Sequence, residues 1–254
     1  MRAVLGIQLL LAAAFGVLEA SGRFHIPYSK FRSLRGFRWT ASVNSRVGWF
    51  VAYLVPLLVY VGLHLQAGSP RSPYHWALLA GMVFHFGKRC LESLFLHKYS
   101  KPTGATAYLL IIWAYSTMVL AAGWFQTHAV SAAEGWAPEL RPALIAGAGI
   151  FLVGQAINFY HHLLLARLRP AGAAGQGYRV PQGGLFRWVA CPHYLGEIIA
   201  WVGYAVMAGL PPSWGNAAVV VVYLGARSRS TLRWYQQNLP DWPADRRALV
   251  PRLF

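Results

Sequence analysis

The sequence has few acidic residues, few cysteines and little charge overall. It contains 7 Asp and Glu against 23 Lys and Arg, and only 12% of its 254 residues are charged, whereas soluble domains usually have about a quarter charged residues. The two cysteines, Cys90 and Cys191, show neither the pattern of a disulfide framework nor that of a zinc site, so we expect buried, reduced thiols. This composition disfavours a soluble globular domain.

Conventional ligand-binding motifs of soluble proteins are also absent. The chain has no GxGxxG after a strand, no P-loop, no GxSxG and no HExxH, so we expect no metal ion and no Rossmann domain. The stretch Gly147-Ala148-Gly149-Ile150 lies in an apolar run, which predicts close helix packing and not dinucleotide binding.

Long apolar runs are the main feature that is present. Hydrophobic residues make up 56% of the chain, and the mean hydropathy is +0.39. Runs of about 20 apolar residues match the thickness of a bilayer, in which helices satisfy their own backbone. The sequence predicts an all-α integral membrane protein with one membrane domain over residues 1–254. Its seven predicted spans lie near 3–20, 47–66, 75–96, 104–126, 142–166, 186–209 and 213–226.

The basic residues predict the orientation of these spans. With the N-terminus outside, 18 of the 23 Lys and Arg fall in the loops and the tail on the cytoplasmic side, as the positive-inside rule requires. The positive charge therefore reflects topology and not nucleic-acid binding. A cleaved signal peptide is an alternative for the first span, given Arg2 and Ala20-Ser21-Gly22, but Glu19 and the basic flank favour a retained helix.

Two segments in the second half of the chain lie outside the spans. The loop 170–185 is rich in glycine, which permits positive φ angles and close approach to a ligand. The tail after residue 226 is too polar to span a membrane. We expect it to lie over the cytoplasmic face with Trp234, Tyr235 and Trp242 packed at the interface.

Ionisable groups inside a span are costly and are therefore functional candidates. In the third span, the spacing of three, four and seven residues places one group on a single helical face, namely His85, Lys88, Arg89 and Glu92. An ion pair within the helix would neutralise Glu92. The remaining positive charge predicts a bound anion such as a phosphate or a carboxylate.

Two further polar clusters lie near the ends of later spans. One lies near the end of the fifth span and consists of Asn158, Tyr160, His161 and His162, whose histidines are either interfacial or part of a site. The other opens the sixth span, where Pro192 suits a helix start and His193 lies one turn before Glu197. A structural cap alone would not explain a buried acid at Glu197.

The second half of the chain resembles a known family. The stretch Tyr178–Phe186, the segment Pro192–Tyr204 and the tail Tyr235–Phe254 are similar to the C-terminal domain of steroid 5α-reductases. The stretch Lys88–His97 and the motif Cys191-Pro192-His193-Tyr194 instead resemble a second branch of the superfamily, the trans-2-enoyl-CoA reductases.

The resemblance implies seven helices that bind NADPH from the cytoplasmic side and admit an apolar substrate from the bilayer. We expect the protein to be a monomer. It also implies a set of cofactor-binding residues, which are Arg89, Asn158, His162, Arg169, Tyr178, Arg179, His193, Glu197, Arg227 and Tyr235. The ketone-binding Glu and Tyr of steroid reductases align here with Tyr53 and Phe86, so that pair is absent in its usual form, and Tyr53 resembles a tyrosine of the enoyl-CoA branch.

Reduction of a C=C bond conjugated to a carbonyl requires a hydride donor, a hydrogen-bond donor for the enolate oxygen and a proton for the α-carbon. We expect Tyr53 to be the enolate donor, because a buried phenol can act as an oxyanion-hole group. Lys88 and Tyr194 are the next candidates. A helix-packing role is the alternative for Tyr53.

From the resemblance we expect a 3-oxo-Δ4-steroid-like ketone as the substrate, with an enoyl thioester as the alternative. Two other functions stay open. One is an isoprenylcysteine-type methyltransferase, although its core order differs from Cys191-Pro192-His193. The other is a non-catalytic lipid binder or transporter, although inverted repeats are not visible.

Overall fold

The computed structural model describes residues 1–22, 26, 31, 41–66, 71–99, 102–131, 134, 141–168 and 178–254. Within these ranges the chain forms seven α-helices, which are α1 (Arg2–Ala20), α2 (Ser45–Gln66), α3 (Pro73–Leu91), α4 (Ala105–His128), α5 (Arg141–Arg167), α6 (Pro192–Ala208) and α7 (Pro211–Asn238). A π-helical turn (Glu92–Leu96) follows α3, and a 3₁₀ turn (Gly184–Arg187) precedes α6. Two short strands, β1 (Ser42–Val43) and β2 (Thr103–Gly104), pair antiparallel.

The helices confirm the predicted all-helical fold. Of the described helices, α1, α2, α4 and α5 are long and apolar enough to cross a membrane by length and composition. Helix α3 carries Lys88 and Arg89 in its last turn, and α6 has only 17 residues. The predicted orientation across the bilayer stays a prediction.

The bounds of the last two helices differ from those of the predicted spans. Helix α6 begins at Pro192 and not near residue 186, because residues 184–187 form a separate turn. Helix α7 continues to Asn238, 12 residues beyond the predicted end at 226. Polarity can end a membrane span without ending a helix, because the backbone hydrogen bonds continue and Arg227, Ser228 and Thr231 are buried against other elements.

Helices α5 and α6 pack closely through glycines. A Cβ atom at Gly154 would lie 2.3 Å from the backbone nitrogen of Ala200, and one at Gly203 would lie 2.3 Å from that of Phe151. Gly147 faces Met207 at a similar distance. The predicted packing role of the glycine run is confirmed for Gly147 but not for Gly149, whose Cβ would meet no described atom within 4 Å. The close packing brings the polar groups of α5 and α6 into contact.

Helix α1 is bound to α7 by buried polar groups. The Arg227 guanidinium donates to Glu19 Oε1 at 3.0 Å, and both side chains are almost fully buried. Nearer the N-terminal end of α1, Gln8 Nε2 donates to the Pro212 carbonyl and to Asn216 Oδ1 of α7. These contacts make α1 part of the helix bundle.

The C-terminal tail lies over the start of α6. Backbone N–H groups of Ala190 and Cys191 donate to carbonyls of Arg247 and Ala248 at 2.8 and 3.1 Å. The rings of Tyr235 and Trp242 stack with centroids 4.5 Å apart. The position of the tail aromatics at the membrane interface stays a prediction, whereas Cys90 and Cys191 are confirmed as buried thiols that form no disulfide.

The Glu19–Arg227 pair predicts how strongly α1 is held. Replacing Glu19 by Ala leaves the Arg227 charge buried without its carboxylate, which costs about 3–5 kcal/mol. We expect a drop of roughly 10 °C in the thermal unfolding midpoint in detergent. Glu134→Ala, which removes an exposed acid, is the matched control. Recovery of the midpoint in a Glu19→Met/Arg227→Met double variant would support the pairing. Equal midpoints for Glu19→Ala and Glu134→Ala would contradict it.

Candidate active site

A cavity of about 450 Å³ opens between the helices, within the usual range for ligand sites. One part of its wall is apolar and comes from α4 and α7, with Leu110, Ile111, Met118, Val219, Val220 and Leu224. The other part is polar and comes from α3, α5 and α6. Helix α2 contributes Trp49 and Tyr53, which stack at 5.6 Å. The cavity therefore suits a ligand with one apolar and one polar portion.

Arg89 lies at the centre of the polar wall. Its Nη1 donates to Glu92 Oε2 at 2.6 Å, and its Nη2 donates to the Tyr53 hydroxyl oxygen at 2.6 Å. His162 Nδ1 lies 3.0 Å from both Arg89 Nη1 and Glu92 Oε2. The predicted ion pair of Glu92 is confirmed, and it connects α3 to α2 and α5.

Asn158 continues this network towards α6. Lys88 Nζ donates to Glu92 Oε1 at 3.1 Å and to Asn158 Oδ1 at 2.5 Å. The Asn158 amide in turn donates to the His193 carbonyl at 2.9 Å and to Glu197 Oε2 at 3.1 Å. The three clusters that the sequence separates along the chain thus form one buried network.

The Glu197 carboxylate contacts side chains of α3 and of its own helix, α6, and a side chain of α5 supports the α3 contact. Its Oε1 accepts from Trp201 Nε1 at 3.2 Å and lies 3.4 Å from His85 Nε2. The Gln155 amide lies 2.8 Å from His85 Nδ1, so His85 accepts there and carries its proton on Nε2. His85 therefore orients the Glu197 carboxylate from outside the cavity.

The charges in this network balance, which corrects one prediction. The third span alone has two cations and one acid, and that surplus predicted an anion next to Lys88 and Arg89. In the folded chain Glu197 joins them through Asn158 and supplies the second carboxylate. Two further cations, Lys98 and Arg179, are exposed and line the same cavity.

The adjacent histidines of α5 have different surroundings. His162 lines the cavity beside Glu92, whereas His161 donates from Nδ1 to the Ile157 carbonyl and accepts from the Leu185 N–H at Nε2. Gly184 has φ +49°, and a Cβ there would lie 2.7 Å from His161 Nε2. Positive φ is confirmed at Gly183 and Gly184, whereas the other glycines of the loop lie outside the described residues, and Gly184 approaches His161 and not the cavity.

The π-helical turn brings His97 to the site. Its N–H donates to the Glu92 carbonyl, five residues earlier, and its Nε2 lies 4.0 Å from Glu92 Oε2. Glu92, His97 and His162 offer ligand atoms within 4.8 Å of one another, a set that zinc can use. The Arg89 guanidinium already contacts Glu92 and His162, and its charge repels a metal ion. We therefore assign the group as an ion-pair cluster.

The structure brings most of the predicted site residues to one cavity. Those that line it are Tyr53, Arg89, Asn158, His162, Tyr178, Arg179, His193, Tyr194, Glu197 and Tyr235. Lys88 lies behind Asn158 and does not line it. Arg227 pairs with Glu19 and does not line it either. Arg169 lies outside the described residues.

Several residues of the site were missed by sequence reasoning. Gln155 is a polar residue in an apolar span, one turn before Asn158. A polar residue at such a position is the sequence signal by which Gln155 could have been found. Tyr99 and Thr231 line the cavity, and their hydroxyl oxygens are buried without a hydrogen-bond partner in the described part of the chain. Such hydroxyls suit a polar ligand; Thr231 stands where the steroid-reductase pattern has a His, whereas no sequence pattern distinguishes Tyr99.

Comparison with known proteins gives consistent matches. The family model described as 3-oxo-5-alpha-steroid 4-dehydrogenase matches residues 102–254. The chain is 30% identical to 3-oxo-5-alpha-steroid 4-dehydrogenase 1 of Macaca fascicularis, over 97% of this chain and 92% of that protein. It is 29% identical to the human type 1 protein (84% and 81% covered) and 30% identical to the human type 2 protein (83% and 81% covered).

His97 predicts a pH dependence of stability. Burial lowers the pKa of His97, and His162 and Arg89 add to the shift. Below about pH 6.5 the unfolded chain binds a proton here that the folded chain does not, so stability is lost as the pH falls, by about 1.4 kcal/mol per pH unit. We expect His97→Gln to flatten the decline of the unfolding midpoint between pH 7 and 5.5. His128→Gln, which removes an exposed histidine, is the control, and an equal flattening would contradict the assignment.

Proposed function

The chain belongs to the 3-oxo-5-alpha-steroid 4-dehydrogenase family, and from this premise we propose that it reduces the Δ4 double bond of a 3-oxosteroid with NADPH. It is an oxidoreductase acting on a CH–CH group. The observation that carries the proposal is the junction at Tyr53, where a buried ionic network meets an apolar cavity.

The polar residues of the cavity fit NADPH. Exposed Lys98 and Arg179 suit phosphate groups, and Tyr99 and Thr231 offer buried hydroxyls to a polar ligand. Glu197 and Asn158 line the polar part of the cavity and suit an amide group of the ligand. Further candidates by resemblance are His162, Tyr178, His193 and Tyr235, all of which line the cavity, together with Arg169. NADPH supplies the hydride, and it leaves as NADP⁺.

The apolar part of the cavity fits a lipid. Its wall is formed by side chains of α4 and α7 that present no charge, so a rigid hydrocarbon can be buried there. Phe86, at the position of the family's ketone-binding tyrosine, is fully buried and packs on Tyr115 at 5.6 Å. It cannot donate a hydrogen bond, so the carbonyl needs another donor.

Tyr53 is the donor that we assign to the substrate carbonyl. Its oxygen accepts from the Arg89 guanidinium, and a phenol whose oxygen accepts from a cation is a stronger donor of its own proton. During reduction the Tyr53 O–H would stabilise the negative charge on the carbonyl oxygen while the β-carbon accepts the hydride. The α-carbon would then take a proton from solvent, so that the double bond becomes CH–CH.

Lys88 and Tyr194 take different roles in this proposal. Tyr194 lines the cavity next to His193 and is the second candidate for the hydrogen bond to the carbonyl. Lys88 contacts Glu92 and Asn158 and does not line the cavity, so we propose that it positions Asn158.

An enoyl thioester is the second candidate substrate. The observation that favours it is the replacement of the family's Glu and Tyr pair by Tyr53 and Phe86, since the single Tyr53 donor resembles that of the enoyl-CoA branch. A thioester carbonyl would use the same hydrogen bond.

We propose that the chain is one multi-pass membrane domain with the N-terminus outside. The cofactor then enters from the cytoplasmic side, and the substrate enters from the bilayer to a monomer. The excess of Lys and Arg in the loops and tail at that end supports this orientation.

The role of Tyr53 can be tested by removing one hydroxyl. We expect Tyr53→Phe to lower kcat at least about 100-fold, the effect of losing one oxyanion-hole donor, while NADPH binding is kept. Tyr160→Phe removes a hydroxyl from an exposed tyrosine and serves as the control. Normal turnover of Tyr53→Phe would remove Tyr53 from the mechanism.

The substrate class can be tested with purified protein. We expect NADPH consumption with a 3-oxo-Δ4-steroid, with one NADPH oxidised per double bond reduced in the recovered steroid. We expect NADPH, and not S-adenosylmethionine, to raise the thermal unfolding midpoint. Turnover of trans-2-enoyl-CoA alone would replace the steroid by the thioester, and stabilisation by S-adenosylmethionine alone would favour a methyltransferase.

A further inference from the structure

A second groove, of about 1050 Å³, lies on another side of α5. It shares no lining residue with the candidate active site. One wall is the helix surface of Ala156, Ile157 and Tyr160, and the other is the turn from Gln182 to Trp188. The hydrogen bond between His161 and Leu185 joins the two walls, so the groove is part of the fixed fold.

Two arginines give this groove a positive charge. Arg246 is 8% exposed and donates from Nη1 to the Pro181 carbonyl; the neighbouring Asp245 acts on it electrostatically, but no carboxylate among the described residues forms an ion pair with it. Arg187 is exposed and stacks on Trp188 at 5.2 Å. None of the residues described as lining the groove is acidic. A buried guanidinium without a carboxylate favours a bound anion.

The helix wall shows what kind of anion fits. Leu152, Val153 and Phe159 are exposed on α5 around Ala156, and α5 is long and apolar enough to span a membrane. Exposed apolar residues on such a helix face acyl chains. The groove thus begins at the lipid-facing surface and ends at two arginines beside Trp188, an aromatic residue suited to the membrane interface. A soluble anion would leave the apolar wall unused.

We propose that this groove binds an anionic phospholipid. The phosphate lies between Arg187 and Arg246, and an acyl chain follows the exposed surface of α5 towards Leu152. Basic pockets beside membrane helices are suited to such headgroups. The site is separate from the proposed NADPH and steroid cavity.

The test uses the full chain in a neutral detergent, titrated with phosphatidylglycerol or phosphatidylcholine while the thermal unfolding midpoint is measured. Arg187→Gln removes one charge of the groove and breaks no hydrogen bond that holds the fold. Arg233→Gln removes an exposed arginine of α7 and is the matched control. We expect phosphatidylglycerol to stabilise wild type and Arg233→Gln alike, with an apparent affinity about fivefold weaker in Arg187→Gln. Phosphatidylcholine should stabilise less in all three.

Three results would overturn the proposal. Equal weakening in Arg187→Gln and Arg233→Gln would mean diffuse attraction to the basic surface. The same protection by inorganic phosphate would assign the groove to a free anion. Loss of NADPH binding in Arg187→Gln would make the groove part of the cofactor site. Arg246→Lys keeps the positive charge but removes the planar guanidinium with its paired N–H donors. This variant should weaken phosphatidylglycerol binding and leave NADPH binding unchanged.

Discussion

The cost of unpaired charge inside a helix bundle determines how this protein is built. Arg89 contacts Glu92, Tyr53 and His162, and Lys88 reaches Glu92 and Asn158. None of these cations could remain charged among apolar helices without such partners. Since these partners come from α2 and α5, and Asn158 extends the network to His193 and Glu197 of α6, satisfying the charges on α3 also fixes the relative positions of four helices.

The same constraint divides the cavity into two parts. Charged groups gather where the network runs, and the part of the wall formed by Leu110, Ile111 and Met118 of α4 and by Val219, Val220 and Leu224 of α7 is apolar. Tyr53 stands at that boundary with its oxygen bonded to Arg89. A reaction that combines an anionic cofactor with an apolar substrate needs such a boundary, and α5 and α6 are brought close enough to form it by Gly154 and Gly203.

Sequence reasoning succeeded where a local pattern has one physical solution. The apolar runs predicted the helices, and the spacing of Lys88, Arg89 and Glu92 predicted their ion pairs, because residues three and four apart meet on a helix. It failed where the regular helix changes or the partner is remote. The π-helical turn brings His97, five residues after Glu92, to the same cluster, whereas an α-helix would point it elsewhere. Arg227 pairs with Glu19, about 200 residues away.

The sequence by itself determined the class of protein, its helices and the residue types of the site, because hydropathy and helical spacing act over short stretches of chain. Only the tertiary structure decided which residues share the cavity. It separated His161, bonded to the Leu185 turn, from His162 beside Glu92. It also balanced the third-span charges with Glu197. The reason is physical: burial and electrostatic pairing depend on which helices pack together, and that packing joins residues far apart in the chain.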